Sequence, residues 1–202
     1  MKRRFLAGWL LLWIMAACSP ATTSPTAVPP IAASTPEVTS EASSLLADVL
    51  SAGAERPAWQ TVSLVNASTG ANFTLADFPG KTVYVEPMAT WCTNCKAQQG
   101  QVRTAREQLG EENYVFISLS VEPNDTTGGL AEYLVRENFP WTFAIAPTEM
   151  VASLVEQFGR TITNPPSTPH FVISPTGAVS QLMTGHHSAE QLVAELTAAA
   201  GA

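Results

Sequence analysis

Cys92 and Cys95 stand three positions apart in the stretch WCTNC. Two thiols at that spacing can hold a metal, form a structural bridge or carry electrons, and their surroundings separate these options. The preceding residues, TVYVEPMA, are β-branched and apolar and read as a buried strand. The following residues, as far as Leu109, are helix formers with Gly110 as a stop signal. The pair therefore opens a helix. A helix N-terminus presents unsatisfied N–H groups and about half a positive charge, and both stabilise a thiolate. Cys92 is expected to ionise below the ordinary thiol range. Cys95, one turn further in, is expected to be more enclosed and less acidic. Such an asymmetric pair suits exchange: one exposed thiolate attacks a disulfide and the second sulfur resolves the mixed disulfide. Structural zinc would need two more ligands, there is no second CxxC, and His186 and His187 lie beyond the last hairpin. A bridge across two residues closes almost no loop and stabilises little. The reading calls for no metal and no cofactor.

The elements that must position the pair follow along the chain. TVSLV and ANFTL read as two strands around the turn NASTG. After the active-site helix come a strand (NYVFISLSVE), a helix (TTGGLAEYLVRENF, with Leu130, Leu134 and Val135 on one side), a strand (WTFAIA) and a helix ended by Gly159. HFVISPTGAVSQLMTG reads as a hairpin turned at Pro175–Gly177. The last helix has Ser188 as N-cap and Gln191 three residues on, a capping box. Alternating strands and helices imply an α/β fold with a partly parallel central sheet, helices on both faces and a final antiparallel hairpin.

The N-terminus suggests where this domain works. Lys2, Arg3 and Arg4 precede an apolar run over 5–17, too short for a comfortable membrane span. It ends in MAAC. This resembles the lipobox of bacterial lipoprotein signal peptides, with Met15 where Leu is commoner; the resemblance implies cleavage of 1–17 and lipidation of Cys18. Residues 18–44 are rich in Pro, Ser, Thr and Ala with no hydrophobic period, which suits a flexible tether. Residues 45–202 suffice for one domain with its own core, opened by a short helix over 45–53. After Cys18, seven basic residues against seventeen acidic ones leave a net charge of −10, and nothing reads as a nucleic-acid surface.

MATWCTNCK followed by STPHFVISPTGAV resembles a thioredoxin-fold protein, most similar to the membrane-tethered TlpA/ResA-type thiol–disulfide oxidoreductases. The resemblance covers 57–202 and implies a thioredoxin-like fold with an N-terminal β-hairpin extension. It implies Cys92 as attacking and Cys95 as resolving sulfur. Thr168 and Pro169 would line the substrate groove, with a cis bond between them and Pro169 packed on the CxxC. Trp91 would shield the pair and offer a flat contact. Glu86 interrupts an apolar strand six residues before Cys92, where thioredoxin-like proteins can place a buried acid that relays the proton of the second cysteine; the plainer alternative is a strand-end partner for Lys81 or Lys96. Lys96 itself reads as a solvated helix residue, and His170 as a strand-start histidine near the sulfurs. The implied partners are protein disulfides and thiols, in that family including apocytochrome c, together with a redox donor and the membrane through Cys18. The implied location is extracytoplasmic.

The chain departs from this family at Pro87 and Met88, where aromatic residues are common, and at Gly100, where a kinking proline is usual. The link RTITNPPS is also longer than usual. Two rivals share the fold. A Sco-type copper protein uses C-x-x-x-C with a distal histidine, and the gap here is one residue shorter. A peroxiredoxin-like peroxidase needs Thr three residues before its nucleophile, where this chain has Ala89, with Thr90 one position too close.

Overall fold

The computed structural model describes residues 56–201. The expected signal segment, Cys18, the tether and the helix over 45–53 lie outside the described residues. The chain runs through β1 (Leu64–Val65), β2 (Asn72–Phe73), β3 (Thr82–Met88), α1 (Thr93–Leu109), β4 (Tyr114–Ser120), α2 (Thr127–Glu137), β5 (Thr142–Ile145), α3 (Thr148–Phe158), β6 (Phe171–Ile173) and α4 (Ala189–Ala200). β1 and β2 form a separate antiparallel ribbon, with Leu64 opposite Phe73. Its turn is held by the Asn66 side chain, which accepts from the backbone N–H of Ser68 and of Thr69.

The main sheet has the order β5-β4-β3-β6. β3, β4 and β5 run parallel, and β6 runs antiparallel to β3. Every residue of β3 is buried, as expected of a parallel strand covered on both faces. Tyr84 and Met88 pack with Cys92, Cys95 and Val102 of the α1 side, Leu130 and Tyr133 of α2, and Leu192 and Leu196 of α4. Val83 and Val85 point the other way, to Met150 and Leu154 of α3 and to Phe171. This is the thioredoxin-like α/β fold, a mixed sheet between helical layers with the hairpin extension.

Pro87 sits inside the central strand without breaking it, and the register explains why. Thr82 donates to Asn113 and Met88 accepts from Val121, so the even-numbered residues of β3 make the bonds to β4. The nitrogen of Pro87 faces the opposite side, beyond Val85–Phe171, the last pair with β6. No ladder bond is lost. Continued two residues, the same register sets Pro169 opposite Pro87, so the ladder ends where neither strand has an N–H to give.

Two expectations change. In α2, Val135 is 76% exposed while Tyr133 is buried. The core stripe is Leu130, Tyr133 and Leu134, and Val135 lies five residues from Leu130, about 140° around the helix. The final hairpin turns at Pro175–Gly177, but its return arm makes only the isolated bridges His170–Met183 and Ile173–Val179. Ser180 pairs with Val172 and Met183 with His170, so one extra residue bulges between them.

Candidate redox site

β3 delivers the chain to the site through Ala89, Thr90 and Trp91. Asp125, in the loop after β4, fixes this approach: its carboxylate accepts from Thr90 N–H at 3.1 Å, Thr90 Oγ1 at 2.6 Å and Ser120 Oγ at 2.7 Å. Cys92 is the N-cap of α1, and its Sγ accepts from the Cys95 N–H at 3.1 Å. The sulfur thus occupies the place where a capping oxygen usually sits, against the positive end of the helix. Cys92 and Cys95 are joined as a disulfide, with Cα atoms 5.3 Å apart.

The expected contrast in exposure is slight in this oxidised state: Cys92 is 3% exposed and Cys95 fully buried. The Cys92 sulfur is folded back on the first turn of α1 and bonded to Cys95, which leaves little of it in solvent. Trp91 is the exposed neighbour, at 58%. Its indole N–H donates to Glu122 at 2.8 Å, which holds the ring in place and keeps the Glu122 carboxyl below its usual range.

The Thr168–Pro169 bond is trans; no cis peptide occurs among the described residues. The chain instead turns through two short 3₁₀ segments, Arg160–Thr163 and Pro165–Ser167, and through Thr168 itself, at φ 45°, ψ 55°. Positive φ is costly for a β-branched residue. Two bonds hold it: Thr168 N–H to Pro165 O at 2.8 Å, and Thr168 Oγ1 to Gly185 O at 2.6 Å. With the reversal made at Thr168, the trans bond, the default for X–Pro, suffices. The carbonyl that meets the disulfide is that of Pro165, 3.2 Å from Cys95 Sγ. Asn94 donates to Pro166 O at 2.9 Å, tying the same turn to α1. Pro169 is buried at the head of β6, and Thr168 lines an open cleft of about 430 Å³ beside the pair, with Asn94, Ala97, Pro166 and Gly185.

Glu86 lies fully buried on the α1 face of the sheet. The salt-bridge alternative is excluded: Lys96 pairs with Glu137 at 2.6 Å, and Lys81 donates to the Glu111 carbonyl. Burial pushes the Glu86 carboxyl up to about 8, against smaller opposing effects of Gln99 and Tyr84. Those neighbours stand close but out of good alignment, since both Glu86 oxygens, Tyr84 Oη and Gln99 Nε2 lack a hydrogen bond of acceptable geometry. Gln99 is four residues beyond Cys95, on the same buried face of α1. The acid therefore sits beneath the helix that carries Cys95.

A second polar cluster, absent from the sequence reading, lies on the same face. His170 Nε2 is 3.1 Å from Glu195 Oε2, and His187 Nδ1 is 2.6 Å from Glu195 Oε1. Burial works to raise the Glu195 carboxyl, but the two imidazoles outweigh it and hold it below the usual range. Gln98 of α1 brackets His187, accepting from its N–H at 2.9 Å and donating to its carbonyl at 3.3 Å. Adjacent glutamines at 98 and 99, on the buried side of α1, were the sequence signal for both clusters.

The Redoxin family model matches residues 51–198. No curated protein matches the chain. Among solved structures, a thioredoxin-family thiol:disulfide interchange protein from Chlorobium tepidum TLS is similar at 21% identity and TM-score 0.58, over 72% of this chain and 97% of that one. A secreted Mycobacterium tuberculosis disulfide oxidoreductase homologous to E. coli DsbE is similar at 15% identity and TM-score 0.55, over 69% and 96%. BsSco, of the Sco family of cytochrome c oxidase assembly proteins, is similar at 19% identity and TM-score 0.57, over 71% and 94%. At these identities the likeness speaks for the fold. The family match spans most of the chain, and on that fold stands the CxxC pair of a thiol–disulfide oxidoreductase: the chain belongs to the Redoxin family.

Proposed function

We propose that the protein is an extracytoplasmic, membrane-tethered reductant of protein disulfides, of the TlpA/ResA type, acting through Cys92 and Cys95. The observation that carries this reading is Cys92 Sγ as the N-cap of α1, bonded to Cys95 on the helix whose buried face also brings Gln99 to the buried acid Glu86. In the reduced protein, the Cys92 thiolate attacks one sulfur of a substrate disulfide, and the other substrate sulfur leaves as a thiolate. Cys95 then gives its proton to the Glu86 carboxylate and attacks Cys92 Sγ. The second substrate sulfur departs, and the Cys92–Cys95 disulfide is formed. Two electrons have passed to the substrate, and an external dithiol must restore them. A carboxyl held near 8 suits this exchange, because its proton affinity approaches that of a thiol.

The open cleft lined by Asn94, Pro166 and Thr168 offers a surface for an extended peptide, and Trp91, exposed next to Cys92 in the chain, offers a flat apolar contact. Stable protein disulfides, the substrates of such a reductant, form and persist outside the cytoplasm. That agrees with the lipobox-like MAAC, with a domain that starts after a tether at about residue 45, and with the secreted neighbour from Mycobacterium tuberculosis. Apocytochrome c is the substrate class the TlpA/ResA resemblance offers. The fold likeness to BsSco keeps copper handling as the second reading, and Cu(I) binding by the reduced cysteines separates the two. A peroxidase reading is weakened by Thr90, whose hydroxyl is engaged with Asp125.

The test is equilibration with glutathione buffers. Reversible, two-electron conversion of Cys92–Cys95 between dithiol and disulfide is expected. A pair that stays oxidised in all such buffers and passes no electrons to a protein disulfide would exclude this activity.

A further inference from the structure

We propose that His170, His187 and Glu195 form a binding site for one divalent d-block cation of the zinc type, separate from the cysteines. Two imidazoles and a carboxylate make a donor set that such ions favour, and three protein ligands leave one position open. One candidate donor atom from each residue lies within 4.8 Å of the others. The two imidazole rings stand edge to face, with centroids 4.6 Å apart, and point their nitrogens at one carboxylate. A tetrahedral zinc ion with bonds of about 2.1 Å separates its donors by roughly 3.4 Å. The present contacts of 3.1 and 2.6 Å run to different oxygens of the carboxylate, and three donors taken one per residue, now within 4.8 Å of one another, must adjust to that spacing. The Glu195 side chain is 23% exposed and has room to make that adjustment.

The histidines are held from outside the cluster, as a preorganised site requires. His170 is bonded through its backbone to Met183 in both directions, and His187 is bracketed by Gln98. His170 is fully buried, while the side chain of His187 is 19% exposed, so an ion enters from the His187 side and keeps its fourth position toward water. Binding requires each coordinating nitrogen to be the unprotonated one of its ring, with the proton on the other nitrogen. For His170 that other atom, Nδ1, is buried without a hydrogen-bond partner, so packing and the backbone bonds to Met183 fix the ring. The ion bridges these side chains and fastens α4 to the head of β6.

The test uses the full chain, without a histidine tag, carrying Cys18→Ala and with the Cys92–Cys95 disulfide intact, so that no free thiol competes. Calorimetric titration with Zn²⁺ is expected to saturate at one ion per chain. Co²⁺ is expected to give the visible absorption of a four-coordinate site. His187→Ala and Glu195→Gln, both at partly exposed positions, should weaken binding by at least about tenfold, whereas His186→Ala should leave it unchanged. Absence of saturable binding overturns the site, as does undiminished binding by the His187 and Glu195 variants. Binding that appears only after reduction assigns the ion to the cysteines and overturns it too. Because the site is judged by the titration made with the disulfide closed, this result is independent of the proposed exchange activity.

Discussion

The hydroxyl of Tyr133 donates to Oε1 of Gln99 at 2.6 Å, inside the core. That bond decides the orientation of the amide and leaves Nε2, an unpartnered donor, for the region of Glu86. A carboxylate formed there by proton loss has a donor at hand, and a carboxylic acid has Gln99 and Tyr84 to turn to. Glu86→Gln keeps the shape and removes the base. The resolving step, in which Cys95 displaces the substrate, is expected to slow by roughly ten- to a hundredfold. Stopped-flow reduction of a disulfide substrate from pH 6 to 9 measures it. Equal rates and equal pH profiles for both proteins would return Glu86 to a purely structural role.

The same residue ties stability to pH. Its folded-state pKa, about 8, is raised above the ordinary carboxylate value of 4.5, so the native state holds a proton that the unfolded state has released. Stability from this group is therefore complete below about pH 4.5 and declines as pH rises toward 8. At pH 7 the loss is on the order of 3 kcal/mol. Glu86→Gln removes that slope. Urea midpoints of the two proteins should converge in acid and separate with rising pH, the variant becoming the more stable. A constant gap across the range contradicts the buried-acid account.

The architecture was legible because its signals are local. An apolar run rich in β-branched residues gave β3, Gly110 and Gly159 marked helix ends, and Ser188 with Gln191 gave a capping box that is present in full. The Cys92–Cys95 pair was legible because three residues of helix fix the geometry of two thiols. What was missed depends on contacts across the fold. The turn at Thr168 is held by Pro165 and Gly185, one of them seventeen residues away, and no dipeptide rule reports that a left-handed threonine replaces a cis proline. Val135 was placed by apolar character, where helical phase excludes it. His170, His187 and Glu195 come from three segments and meet only once α4 docks on α1 beside β6.

The proposed anchor is separable from the chemistry. With Cys18 intact, most of the protein is expected to sediment with membranes and to take up labelled fatty acid. Stable attachment follows from two or more acyl chains, each buried CH₂ contributing about 0.8 kcal/mol. Cys18→Ala should cut the label and release the protein, while leaving Cys92–Cys95 exchange in solution unchanged. Undiminished labelling of the variant contradicts the lipobox reading.

The central claim is that Cys92 attacks and Cys95 resolves, and trapping of the mixed disulfide tests it most directly. Cys95→Ser leaves the attacking thiol at the N-terminus of α1 and removes the sulfur that would release the substrate. Cys92→Ser leaves a sulfur that is fully buried beside the Pro165 carbonyl. After expression in the envelope of a host cell and acid quenching, non-reducing gels should show covalent complexes with client proteins for Cys95→Ser. They should be absent for Cys92→Ser, and for the double variant. Equal trapping by both single variants, or none by either, contradicts the account.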